Sequence, residues 1–290
     1  MHAFKQIDVF TTRAFEGNPV AVILDADDVE PAAMQRLAGW TNLSETAFVL
    51  RPGSADADYR LRIFTPAAEI PFAGHPTIGA AHAILETRWF GRVRRTLTQE
   101  CGAGLLPLSV EDDDGERRIF VRVPEPRVAR ECDGAREAVI GALRTRIASS
   151  PAPLAIAVGP VWLIVRLETP EAIGRLAPDF GAVAALSREL GLTGITAFAL
   201  GGTDGVAVRV RSFAPASGVP EDPVCGSGNA AVAAFLAMTG LLRDTGPTYV
   251  ASQGTELGRR GRVFVRVRAD GREIEIGGTA VTAVDGHIKC

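Results

Sequence analysis

The chain has 290 residues, enough for about two domains at the ~150 residues typical of one. With 47% hydrophobic, 22% charged and 6% aromatic residues, it has the composition of a folded globular protein, which excludes a disordered chain and a small disulfide-stapled scaffold. Basic and acidic side chains nearly balance, 31 against 34 for a net charge of -3, and they are spread along the chain, so neither nucleic acid nor an anionic membrane surface is an expected partner.

Residue types narrow the chemistry further. Lysine occurs only at Lys5 and Lys289, which leaves no interior lysine for a pyridoxal phosphate or Schiff-base enzyme. His2, His75, His82 and His287 are scattered, and Cys101, Cys132, Cys225 and Cys290 show no CxxC spacing, so no metal site and no disulfide framework are expected. The opening residues do not read as a secretory segment. The longest nearly uninterrupted apolar stretch, residues 155–165, is far short of the ~20 residues of a membrane span. A cytoplasmic protein without cofactor or metal is the expectation.

Taken in chain order, the elements occur twice. The first series is a Gly17-Asn18-Pro19 turn, an apolar strand at 20–24, a helix at 31–40, Thr46-Ala47-Phe48, and an alternating strand at 59–64. It continues through Phe64-x-Pro66-Ala67, the turn Ala73-Gly74-His75-Pro76, an alanine-rich helix at 78–85, and a strand with Phe120-Val121-Arg122-Val123. After a linker at 124–153, the second series has a Gly159-Pro160 turn, a strand at 161–167, a helix at 182–190, Thr196-Ala197-Phe198, and an alternating strand at 206–211. Then follow Phe213-x-Pro215-Ala216, the turn Cys225-Gly226-Ser227-Gly228, an alanine-rich helix at 230–238, and Phe264-Val265-Arg266-Val267. So many features in one order indicate duplication. The expected fold is α+β: two copies of a mixed sheet, each curled around a central helix, with the active cleft between them.

Each glycine turn opens a helix whose unpaired N–H groups and positive dipole end attract a carboxylate or oxyanion. A small carboxylate is therefore the expected ligand of Gly74 and Gly226, and an anion from the medium should sit there. Gly226-Ser227-Gly228-Asn229 imitates a dinucleotide fingerprint, but no hydrophobic strand precedes it, so a nucleotide is not expected. Glu45 aligns with Ile195 of the second series. An acid in a position built for an apolar side chain would be desolvated and suited to proton transfer. Cys225 aligns with Ala73; it reads either as a thiolate favoured by the helix start or as a small apolar filler. Asp222 and His75 complete a ring of polar groups.

The blocks Gly17-Asn18-Pro19, Ser44-Glu45-Thr46-Ala47-Phe48, Phe72-Ala73-Gly74-His75-Pro76-Thr77, Glu221-Asp222-Pro223 with Gly226-Ser227, and Ser252-Gln253-Gly254 with Gly258-Arg259 resemble the signatures of the phenazine biosynthesis PhzF-like family over nearly the whole chain. The resemblance implies a diaminopimelate epimerase-like fold in which the last strand returns to the first domain, giving domains of residues 1–123 with 279–290 and of 124–278. It implies a cofactor-independent isomerase, like the family member acting on trans-2,3-dihydro-3-hydroxyanthranilate, and a homodimer. Glu45 would then shuttle the proton, and His75, Asp222 and Ser227 would orient the substrate. The backbone N–H groups of Gly74 and Gly226 would bind it, with Cys225 and Gly228 alongside. Related epimerases and racemases place a cysteine at each glycine turn; Ala73 stands at the first one here, so that mechanism is closed to this chain. An epimerase using Glu45 and Cys225 as opposing bases and a non-catalytic anion-binding protein are the alternative readings.

Overall fold

The computed structural model describes residues 1–91, 94–113 and 115–289. The chain divides into two units, one formed by Met1–Arg122 with the chain from Gly277 onward, the other by Val123–Ile276.

The first unit contains β1 (His2–Val9), β2 (Asn18–Ile23), α1 (Pro31–Thr41), β3 (Thr46–Leu50), β4 (Tyr59–Phe64), β5 (Glu69–Ile70), α2 (Gly74–Glu86), β6 (Thr96–Cys101), β7 (Gly104–Asp113) and β8 (Glu116–Arg122). The second contains β9 (Arg127–Glu131), α3 (Arg136–Leu143), β10 (Leu154–Ala157), β11 (Val161–Arg166), α4 (Pro170–Gly174), α5 (Phe180–Leu190), β12 (Gly194–Leu200), β13 (Val208–Ala214) and β14 (Val219–Asp222). It goes on with α6 (Gly226–Met238), α7 (Leu242–Thr245), β15 (Thr248–Gln253) and β16 (Gly261–Arg268). After β17 (Glu273–Gly278), β18 (Ala280–Ile288) runs antiparallel to β1, with His2 opposite Ile288 and Val9 opposite Ala280.

Strand pairing repeats between the units. In the first, β2 is parallel to β3, β3 antiparallel to β4, and β4 parallel to β6, which turns back into β7. In the second, β11 is parallel to β12, β12 antiparallel to β13, and β13 parallel to β15, which turns back into β16. Each sheet holds an alanine-rich helix. Ala80, Ala81, Ala83 and Ile84 of α2 are buried against β1, β2, β3 and β8, and Ala230, Ala231, Ala233 and Ala234 of α6 are buried against β10, β11, β12 and β16. Small side chains are needed at this distance: a Cβ on Gly79 would meet Val20 Cγ1 at 2.5 Å.

Each sheet is also covered on its other face, which makes its middle strands buried on both sides. Met34 and Ala38 of α1 pack on Ile23, Phe48 and Phe64 in the first unit. In the second, α3 and α5 bring Val139, Leu143, Val183 and Leu186 onto Leu163, Ile195, Ala197 and Phe213. The stretch 124–153, expected to be a linker, thus carries β9 and α3 and belongs to the core of the second unit. Its apolar residues Val139, Ala142 and Leu143 follow helical spacing.

The register departs from the alignment of the two series. Thr46 lies opposite Phe64, whereas Phe213 lies opposite Ile195 and Ser212 opposite Thr196. Relative to the Phe-x-Pro-Ala motifs, the two Thr-Ala-Phe tripeptides are one residue out of step. Because side chains alternate across a strand, one residue reverses the face. Phe48 packs edge-on to Phe64 under α1, while Phe198 packs edge-on to Phe235 of the central helix α6, both at 5.5 Å.

Candidate active site

His75 is the second residue of α2. The helix starts there because Ala73 is extended (φ -148°, ψ 142°) and Pro76, in the first turn, has no N–H to lose. Ala73 supplies no side-chain cap, so the N–H groups of Gly74 and His75 keep their capacity to bind an anion. Glu45 stands in the short connection between α1 and β3. Asn42 turns the chain there in the left-handed region (φ 54°), and a 2.9 Å hydroxyl contact between Thr41 and Thr46 closes the loop.

The two side chains face each other: Glu45 Oε2 is 3.5 Å from His75 Nε2, with His75 5% and Glu45 17% exposed. Among the described residues, neither atom has a hydrogen-bond partner. His75 does bond to the backbone of Pro19. Proline has no N–H, so the ring donates to the Pro19 carbonyl, and it must do so through Nδ1. The neutral ring consequently points the lone pair of Nε2 at Glu45. Burial lowers the His75 pKa below that of an ordinary histidine, against the opposing pull of Glu45 and the Pro19 bond.

The start of α6 is built differently. Cys225 is the capping residue, and its Sγ accepts the N–H of Gly228 at 3.2 Å and lies 3.6 Å from Ser227 Oγ. The thiolate reading of Cys225 is corrected here. Burial pushes the thiol well above its ordinary pKa, the Asp222 carboxylate adds to this, and together they outweigh the bonds from Ser227 and Gly228. The buried group is a thiol that caps a helix. Asp222 Oδ1 accepts the N–H of Val224 at 3.0 Å, and Gln253 donates to the Asp222 carbonyl at 2.8 Å while accepting from the Cys225 N–H and from Asn229. Gly228 has its N–H engaged by Cys225, and a Cβ there would meet Ser212 Oγ at 2.5 Å and Thr196 Oγ1 at 2.9 Å. Close packing accounts for this glycine.

The register also changes the partner of Glu45. Ile195 faces α3 and α5 in the apolar cluster, the opposite side from a residue that reaches the central helix. Aligned on the strand pairing, the counterpart of Glu45 is Gly194. It has no room for a side chain, since a Cβ would lie 2.1 Å from the Phe213 carbonyl oxygen and 2.8 Å from Trp162. Trp162, opposite Gly194 in the parallel ladder, donates its indole N–H to Ser227 Oγ at 3.0 Å. Ser227 and His75 are each the second residue of their central helix. Where the first unit has Glu45 against His75, the second has Trp162 against Ser227.

The structure therefore brings Glu45 to His75, with Gly74 beside them, and gathers Asp222, Cys225, Gly226, Ser227 and Gly228 around the start of α6. Sequence reading gives no role to Pro19, Trp162 or Gln253. Pro19 and Gln253 carry a signal, in the blocks Gly17-Asn18-Pro19 and Ser252-Gln253-Gly254; Trp162 carries none. No three His, Cys, Asp or Glu side chains among the described residues are placed to hold a metal ion. Lys5 is buried, yet its ammonium is held between Glu86 at 2.9 Å and Asp285 at 2.7 Å. No helix among the described residues is long and apolar enough to cross a membrane.

Comparison with known proteins agrees with this architecture. The sequence model of the phenazine biosynthesis-like protein family, PhzC-PhzF, matches residues 7–286. The chain is 38% identical to antisense-enhancing sequence 1 of Schizosaccharomyces pombe, over 98% of both chains. It is 34% identical to the trans-2,3-dihydro-3-hydroxyanthranilate isomerase of Pseudomonas aeruginosa, over 99% of both. The crystal structure of a PhzF-family phenazine biosynthesis protein from Bacillus anthracis superposes with a TM-score of 0.88 at 28% identity, covering 100% of this chain and 99% of that one. A probable proline racemase from Agrobacterium radiobacter shares the fold, with a TM-score of 0.66 at 16% identity and coverage of 100% and 93%. The fold is the α+β, diaminopimelate epimerase-like one.

Proposed function

The chain belongs to the phenazine biosynthesis-like family, and on that premise we propose that it is a cofactor-independent isomerase that moves a proton between two carbons of a small carboxylate. The observation that carries this reading is the pair of buried atoms, Glu45 Oε2 and His75 Nε2, facing each other at 3.5 Å. Ionised Glu45 takes a proton from carbon, and the electron pair of the broken C–H bond moves into the neighbouring π system, shifting the double bond. The protonated acid then donates to the Nε2 lone pair, an acceptor that the Nδ1 bond to Pro19 keeps available. Return of the proton to a different carbon completes the isomerisation and restores the carboxylate.

His75 thus complements the protonated form of Glu45, which exists only midway through the reaction. The substrate's carboxylate is assigned to the N–H groups of Gly74 and Gly226, and its other polar groups to Asp222 and Ser227. The isomerase named among the relatives supports this reaction type. The raised thiol of Cys225 speaks against the epimerase that would use it as a second base.

The test is to incubate the protein in deuterium oxide with trans-2,3-dihydro-3-hydroxyanthranilate and a panel of small unsaturated, hydroxy and amino carboxylates, followed by proton NMR. Isomerisation predicts a shifted double bond, with deuterium at the newly protonated carbon to the extent that the proton on Glu45 exchanges with solvent before it returns. Exchange at a stereocentre with the double bonds unmoved would establish an epimerase instead, and neither exchange nor a shifted double bond in any compound would favour a binding protein.

A further inference from the structure

Asp222 is the last residue of a short strand. β14 meets β13 only through Ser212 opposite Asp222 and Ala214 opposite Val219, with an irregularity between them, so the ladder alone holds it weakly. Side chains alternate along a strand, so Glu221 and Asp222 point to opposite faces. Ser212, paired with Asp222, contacts Thr196 Oγ1 at 3.0 Å beside the start of α6. Glu221, on the other face, is gripped by Arg211.

That grip is a complete fork. Arg211 Nε donates to Glu221 Oε1 and Nη2 to Oε2, each at 2.8 Å, and Nη1 donates to the carbonyls of Ile173 at 3.1 Å and Leu176 at 2.9 Å. The guanidinium lies 5.1 Å from the centre of the Phe213 ring. The two charged side chains are only 6% and 7% exposed. Bidentate pairs of this kind fix direction as well as distance.

The duplication supplies an internal comparison. Arg62 forks Glu69 at 2.8 and 2.7 Å and lies 5.2 Å from the Phe64 ring centre. Glu69 and Glu221 each precede the capping residue of their central helix, Ala73 and Cys225, by the same interval. In the first unit the residue after the glutamate is Ile70, and the pair is 19% and 44% exposed. The clamp is buried in the copy where the next residue is an acid.

We propose that Arg211 is a positioning residue for the Asp222 carboxylate: by locking Glu221 on one face of β14, it fixes where Asp222 stands on the other. This rests on the role given to Asp222 above, but the geometric part can be tested without substrate. The Val224 N–H is bound by Asp222 Oδ1, so its exchange with solvent reports whether that carboxylate is held. The variant Arg211→Met/Glu221→Met removes both charges together, so that neither is left buried alone; Arg211→Lys, which keeps the charge without the fork, serves as the second variant.

Exchange of the Val224 amide, read by NMR, should rise about 10-fold or more while the amides of α6 stay protected and the melting temperature is kept. In the isomerase assay kcat/KM should fall about 10-fold or more. Unchanged Val224 exchange in a folded variant would overturn the proposal, as would raised exchange with undiminished kcat/KM. A wild-type protein without isomerase activity would count against the proposed function, while the amide measurement would still decide whether the clamp holds Asp222.

Discussion

Glu45 Oε2 and His75 Nε2 stand 3.5 Å apart without another hydrogen-bond partner among the described residues, and the bond from the His75 ring to Pro19 sets which protonation states suit this contact. A protonated Glu45 has an acceptor waiting; an ionised one faces a lone pair. His75→Gln would place an amide beside Glu45 whose N–H can bind the ionised form, so turnover should fall by about 10²-fold. Steady-state kinetics of this variant check the role.

The same histidine predicts a pH dependence of stability. Its folded pKa is lowered by burial, so the unfolded chain takes up its proton first as pH falls. The contribution is full above the unfolded value near 6.5 and is lost as pH drops from there toward the folded value. Urea unfolding between pH 5 and 8 should show the wild type losing stability relative to His75→Gln below pH ~6.5, with the two curves parallel above it.

Cys225→Ser should keep turnover within about threefold and stability within ~1 kcal/mol, since a hydroxyl caps a helix at least as well as a thiol. The raised thiol gives no thiolate to lose at neutral pH. A loss comparable to that of a Glu45 variant would restore the opposing-base reading.

Gly194→Ala tests the register. A methyl group there meets backbone, the Phe213 carbonyl oxygen at 2.1 Å, which cannot swing aside as a side chain can. Destabilisation of about 1–3 kcal/mol is expected, measured by chemical denaturation.

Much of this arrangement was legible in the sequence. Alanine-rich runs behind Gly74 and Gly226 gave both central helices, because glycine and proline punctuate the chain there. The apolar run 20–24 and the alternation of residues 59–64 marked β2 and β4, although Asn18 and Pro19, read as part of a turn, already belong to β2 and pair with Val9 and Asp8. The one-residue offset of Thr46-Ala47-Phe48 against Thr196-Ala197-Phe198 was not legible. Nearly every residue of β3 and β12 is buried, so no polar and apolar alternation marks the face, and identical tripeptides suggested identical register. The state of Cys225 was also hidden: a helix start lowers a thiol and burial raises it, and only the packing shows which prevails. Trp162 looked like one more apolar strand residue until its indole met Ser227.

The central claim is that Glu45 carries the proton, and turnover by Glu45→Gln against the wild type on the same substrate tests it most directly, with melting temperature as the check on folding. The amide keeps the shape and hydrogen-bonding capacity of the side chain but cannot exchange a proton with carbon. A folded variant with turnover lowered by about 10²-fold or more, and with the shift of the double bond lost in parallel, is the predicted result. Undiminished turnover by a folded Glu45→Gln protein would contradict it.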